Sequence, residues 1–135
     1  MEKKHIVSKM SPTPIGPYVH AVLYDYKYHL EISGQSGRDS KTGKLSDGIL
    51  AQTEQTLQNI KTILSEVGWN FTNVIKVRIY LTDMKEYEKI NKIYLKFFPN
   101  IFPSRAVVEV SGLPGGALIG MECLAGGNSI RNIEK

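Results

Sequence analysis

The chain has 135 residues, enough for one ordinary domain and too few for two. With 41% hydrophobic and 22% charged residues it is not a disordered chain, and a core of this size needs no metal or disulfide staple. Seventeen Lys+Arg against 13 Asp+Glu leave a net charge of +4, with the lysines scattered among glutamates as on solvated helix faces. That pattern argues against a nucleic-acid partner, since no basic stripe carries interleaved aromatics.

A strand is expected at His5 to Ser8, then a stronger one at Val19 to Tyr24. A turn at Asp25-Tyr26-Lys27 leads into a strand from Tyr28 to Ser33, and the two strands are expected to form a hairpin. Gly34 to Gly48 holds four glycines with Asp39, Thr42 and Asp47 and reads as a loop. Leu50, Leu57, Ile60, Leu64 and Val67 recur at helical spacing, predicting a helix over 49–67 that ends at Gly68. Val74 to Thr82 alternates as a strand, with Ile75, Val77, Ile79 and Leu81 on one face and Lys76, Arg78 and Tyr80 on the other. A second helix starts after Asp83, with Glu86 completing an Asp-x-x-Glu capping box, and its inner stripe is Tyr87, Ile90, Tyr94 and Phe97. Pro99 and Pro103 stop it. Strands at Ala106 to Val110 and Ala117 to Ala125 close the chain around a glycine-rich turn.

The order β-β-β-α-β-α-β-β predicts an α+β domain over residues 1–135: a single mixed β-sheet with two helices packed on one face. The opposite sheet face mixes Ala, Val, Leu and Tyr with isolated polar groups. A surface that apolar implies a covering subunit, so a homo-oligomer is expected.

The single Cys123 excludes an internal disulfide and a cysteine-based zinc site. No apolar run follows the N-terminal Met1-Glu2-Lys3-Lys4-His5, and no stretch approaches the ~20 apolar residues of a membrane span. The expected compartment is the cytoplasm, with an organelle matrix as the alternative. Metal-ligand spacings, phosphate-binding loops and nucleophile elbows do not occur.

Two charged residues stand out. Arg105 directly precedes the run Ala106-Val107-Val108, and Glu122 interrupts the apolar strand Leu118 to Ala125. A charge in an apolar strand is costly unless paired. The two read either as a structural ion pair or exposed edge position, or as an anion receptor beside a proton-transfer group, arginine's planar fork suiting a carboxylate. Tyr18 reads as a half-buried aromatic, Gly34 as a site of close backbone approach or a plain loop, and Asn91 as a solvated helix position. His20 reads as a satisfied surface or interface histidine, and Cys123 as an inert core thiol.

The segments Pro14-Ile15-Gly16-Pro17-Tyr18, Ile32-Ser33-Gly34-Gln35, Gln52-Thr53 through Asn59-Ile60, and Tyr80-Leu81-Thr82-Asp83-Met84 continue into Asn91 to Phe98, Ser104-Arg105, Val108-Glu109-Val110, Leu113-Pro114 and Glu122. In this order and spacing the chain resembles the RidA (reactive intermediate deaminase) family across about residues 10–126. The resemblance implies a chorismate-mutase-like fold, a trimeric barrel assembly with clefts between subunits, and hydrolysis of imino and enamino acids such as 2-iminobutanoate and 2-iminopropanoate to 2-oxo acids and ammonia. It implies a link to pyridoxal-phosphate-dependent dehydratases, which release such intermediates, and no cofactor or metal. Carried over by position, Arg105 binds the substrate carboxylate, Glu122 orients or activates water, Tyr18 and Asn91 line the cleft, and the backbone at Gly34 contacts the ligand. A non-catalytic binder of small 2-oxo or amino acids, and an endoribonuclease or translation inhibitor, are the alternative readings. The chain departs from the common family pattern at Val19-His20, Ser36-Gly37, Val107 and Gly120, which bears on substrate preference more than on reaction type.

Overall fold

The computed structural model describes residues 2–131. Its strands are β1 (Lys3–Ile6), β2 (Ala21–Tyr24), β3 (Tyr28–Ser36), β4 (Val74–Leu81), β5 (Ser104–Glu109) and β6 (Ile119–Gly127), with helices α1 (Gly48–Glu66) and α2 (Tyr87–Phe97). The eight elements follow the predicted order.

Their pairing differs from the single sheet expected. β1 and β2 form a separate two-stranded antiparallel sheet, and the other four strands are ordered β3-β6-β4-β5. Only β4 and β5 run parallel; β3–β6 and β4–β6 are antiparallel. The hairpin expected between the second and third strands does not form. β2 spends its ladder on β1, from Lys3 opposite Tyr24 to Ile6 opposite Ala21. The connecting turn is held elsewhere: Asp25 N–H donates to Glu2 O at 2.7 Å, and Lys27 N–H to Asn128 Oδ1 at 2.9 Å. A β-strand pairs along whichever edge completes its hydrogen bonds, and the first strand is too short for its sequence to advertise that edge.

Both helices cover one face of the four-stranded sheet. Leu57, Ile60 and Leu64 of α1 and Ile90 and Tyr94 of α2 close on Val77, Ile79, Leu81, Ile119, Met121 and Ala125. Each fully buried aliphatic side chain contributes about 1.5–3 kcal/mol, so this layer is the main stabilising unit. Lys76, Arg78 and Tyr80 point the other way, as the alternation predicts.

Local details also depart from expectation. β3 runs on to Ser36 through a bulge between Ile32 and Gln35, so Gly34 lies within a strand edge. The Asp83 side chain accepts from Lys85 N–H at 2.9 Å, but Glu86 pairs with Lys89 at 3.6 Å and does not reach back. The turn Met84–Glu86 is a 3-10 turn, whose tighter winding takes Glu86 out of capping-box register. A capping box does form at Asn70, with Asn73 as its partner. Gly68 ends α1 at φ +79°, the left-handed position that its glycine accommodates without strain.

Candidate functional site

Arg105, expected just ahead of its strand, lies inside β5, which starts two residues earlier than expected, and the alternation decides its surroundings. It is opposite Val77, which is opposite Cys123, so the guanidinium is on the helix-covered face. There α2 presents Tyr87, Asn91 and Tyr94, spaced i, i+4 and i+7 along one side of the helix. Arg105 Nη1 donates to Asn91 Oδ1 at 2.9 Å and Nη2 to Tyr87 OH at 3.1 Å. The guanidinium carbon lies 4.8 Å from the Tyr94 ring centre, 5.6 Å from Tyr87 and 5.9 Å from Tyr18. Such cation–π contacts are worth about 0.5–2 kcal/mol each and hold the cation without neutralising it.

No carboxylate among the described residues lies within 4.0 Å of this arginine. Its Nε–H is buried and has no acceptor. A half-buried cation with an unused donor and no acidic partner is chemically suited to receive an anion from outside the protomer. Beside it opens a groove of about 550 Å³ lined by Ile15, Tyr18, Met84, Lys85, Tyr87, Glu88 and Val107. The loop before β2 closes the receptor: a Cβ at Gly16 would collide with Tyr87 OH and lie 2.9 Å from Arg105 Nη2. A side chain there would have to displace the Tyr87 hydroxyl and the Arg105 fork.

Glu122 is elsewhere. It is opposite Arg78 on the exposed sheet face, paired with Arg78 Nη1 at 3.2 Å and accepting a short hydrogen bond from Tyr80 OH. The Tyr80 hydroxyl, and less strongly Arg78, hold the Glu122 carboxyl below the usual carboxylate range, against a smaller opposing push from desolvation. Glu122 is therefore ionised at neutral pH, as a group that accepts a proton from water must be. A shallow cleft of about 220 Å³ runs past it, lined also by Glu31, Lys76 and Leu124.

The structure thus unites Arg105, Tyr18 and Asn91 and leaves Glu122 and Gly34 outside that cluster. The Arg105–Glu122 ion pair, one of the open sequence readings, does not exist within the protomer. Asn91, read as a solvated position, is buried at 6% exposure by its bond to the arginine. Gly34 is exposed on the β3 bulge, and a Cβ there would meet open space. Gly37 is the residue in close approach, 2.6 Å from the Gln52 main chain for an added Cβ. Sequence reasoning missed Tyr87 and Tyr94 as site residues because they read as core stripe; a polar Asn91 on that same stripe is the signal that marks it. Cys123 is a buried thiol pushed up to about 12, by burial first and by the Glu122 charge second, so it is no nucleophile at neutral pH.

Among the described residues no cluster of three or more His, Cys, Asp or Glu side chains could hold a metal ion, and no helix is long and apolar enough to cross a membrane.

The family profile described as Endoribonuclease L-PSP matches residues 8–126. A RutC family protein of Pyrococcus horikoshii is 43% identical over 124 residues, covering 91% of this chain and 97% of its own. A human protein named 2-iminobutanoate/2-iminopropanoate deaminase is 39% identical, covering 91% of this chain and 89% of its own. Among solved structures, RidA from the Antarctic bacterium Psychrobacter superposes with a TM-score of 0.72 at 32% identity, over 91% of this chain and 98% of that one.

Proposed function

The chain belongs to the Rid family, whose profile is described as Endoribonuclease L-PSP, and from that premise we propose that it is a 2-iminobutanoate/2-iminopropanoate deaminase. The reaction is hydrolysis of small 2-imino and 2-enamino acids to 2-oxo acids and ammonia. The observation that carries this reading is Arg105, a half-buried cation with free donors, no acidic partner and a groove beside it. It asks for a small carboxylate.

Arg105 binds the substrate carboxylate through the Nη donors that its bonds to Asn91 and Tyr87 leave free, while Asn91 and Tyr87 hold the fork in plane. The aromatic walls from Tyr18, Tyr87 and Tyr94 keep the fork dry and so strengthen the charge-assisted bonds. Water adds to the imine carbon as Glu122 takes one of its protons, and Glu122 hands that proton to the nitrogen, giving a neutral carbinolamine. The carbinolamine hydroxyl proton then passes by way of Glu122 to the nitrogen as the C–N bond breaks, releasing ammonia and the 2-oxo acid and leaving Glu122 ionised. The substrate also hydrolyses unaided, so positioning supplies much of the gain.

Because Arg105 and Glu122 occupy opposite faces of one sheet, the working site takes Arg105 from one subunit and Glu122, with the Gly34 edge, from a neighbour. The assembly proposed is a homotrimer that covers the Glu122 face and closes into a barrel of the chorismate-mutase type. Its physiological setting is the cytoplasm, alongside pyridoxal-phosphate-dependent dehydratases that release 2-imino acids.

The test generates 2-iminobutanoate in situ and follows its loss. The wild-type protein accelerates the loss over buffer, and Arg105→Ala, folded by circular dichroism, does not. Two charge-assisted hydrogen bonds at about 1.5 kcal/mol or more each make the loss in kcat/KM roughly a hundredfold or greater. A wild-type rate equal to buffer overturns the proposal.

A further inference from the structure

The geometry points to His20 as a positioning residue for the Arg105 receptor: its imidazole, bonded through both ring nitrogens, clamps the loop that carries Gly16 and Tyr18. This rests on Arg105 being the substrate receptor.

The loop spans residues 7–20 between β1 and β2. Ser8 N–H donates to His20 Nδ1 at 2.9 Å, and His20 Nε2 lies 2.6 Å from Pro12 O. The partners determine the tautomer. An amide N–H needs a lone pair, so Nδ1 carries no proton; a carbonyl oxygen only accepts, so Nε2 carries one. Both ring nitrogens are satisfied in the neutral form alone. The imidazolium would turn Nδ1 into a donor facing the Ser8 amide donor.

The other hydrogen bonds of residues 8–18, among the described residues, stay inside the loop: Met10 N–H to Ser8 Oγ, Ile15 N–H to Tyr18 OH, and Tyr18 N–H to Gly16 O. The two ring bonds hold residues 8–12; at the other end Val19 N–H donates to Pro103 O at 3.4 Å and Val19 pairs in parallel with Ser104, and the stretch between these two anchors sets Gly16 against Tyr87 and Arg105. The ring's surroundings are uncharged. Ser8 and Pro12 bond it, and Ile6 O on β1 receives the His20 amide at 3.0 Å. His5, the titratable group of the facing strand, is engaged with Phe102 O, and Lys9 on the loop is exposed. No carboxylate among the described residues lies within 4.0 Å of the ring.

Glutamine is the informative substitution, since its carboxamide offers one acceptor for Ser8 and one donor for Pro12. Wild type, His20→Gln and His20→Ala are compared at one neutral pH. The readouts are KM and kcat for 2-iminobutanoate, together with 15N NMR of the Ser8 and Tyr18 amides and the Arg105 Nε–H. Loss of the ring's hydrogen bonds predicts a KM rise of roughly two- to tenfold in His20→Ala, with a smaller change in kcat. His20→Gln keeps KM near the wild-type value. The Tyr18 and Arg105 resonances move in His20→Ala and stay in place in His20→Gln. A wild-type KM in His20→Ala, or a KM in His20→Gln as high as in His20→Ala, overturns the proposal. If no protein accelerates deamination, the deaminase reading fails, and the NMR decides the clamp by itself: Tyr18 and Arg105 resonances unmoved in His20→Ala would refute it.

Discussion

Arg105 on β5 and Glu122 on β6 project from opposite faces of one sheet, with only β4 between their strands. The register leaves no freedom in this, because Arg105 is level with Val77 and Glu122 with Arg78, consecutive residues on β4 that alternate across the sheet. One side of the sheet holds a cation with no carboxylate in reach, and the other a carboxylate paired with Arg78 and Tyr80. A single protomer cannot offer both to one small molecule.

Subunit mixing checks this division. Arg105→Ala and Glu122→Gln are each expected to lose deaminase activity as homo-oligomers. Unfolded and refolded together, they should regain about one intact site in four, as expected for a random cyclic assembly with sites shared by neighbours. A refolded mixture as inactive as its parents would show that the two residues do not meet across an interface.

Tyr80→Phe should move the pH–rate profile. The Tyr80 hydroxyl is the largest influence lowering the Glu122 carboxyl, and Arg78 acts in the same direction. Activity that needs ionised Glu122 is lost as pH falls through its pKa. Removing the hydroxyl raises that pKa, so the acidic limb of kcat/KM shifts to higher pH. Arg78→Met shifts it the same way by less. An acidic limb unmoved by both changes would remove Glu122 from the rate-controlling titration.

Tyr94→Phe separates stability from activity. The Tyr94 hydroxyl is buried without a partner, and burial pushes its pKa well above the ordinary tyrosine range, so it stays neutral. Leaving a buried hydroxyl unpaired costs about 1–3 kcal/mol, and phenylalanine removes that cost while keeping the ring beneath Arg105. The urea midpoint should rise, by an amount equivalent to roughly 1 kcal/mol. A lower midpoint would mean that the hydroxyl bonds a neighbour in the assembled protein.

Much of this protein is determined by its sequence alone. The period of Leu57, Ile60 and Leu64 and the alternation of Val77, Ile79 and Leu81 specify which faces are buried, because burial of apolar surface is the largest favourable term and has the same period as the backbone. The out-of-pattern charges Arg105 and Glu122 are visible for the same reason. Tertiary structure alone decides that β2 pairs with β1, since backbone hydrogen bonds carry no record of their partner in the side chains. It alone converts Tyr87, Asn91 and Tyr94 from a helix stripe into the wall of a receptor, because that depends on which strand the helix packs across. The same is true of Arg105 and Glu122: one is legible as a charge at the head of an apolar run and the other as a charge inside an apolar strand, but which side of the sheet each faces follows from strand register, a long-range property.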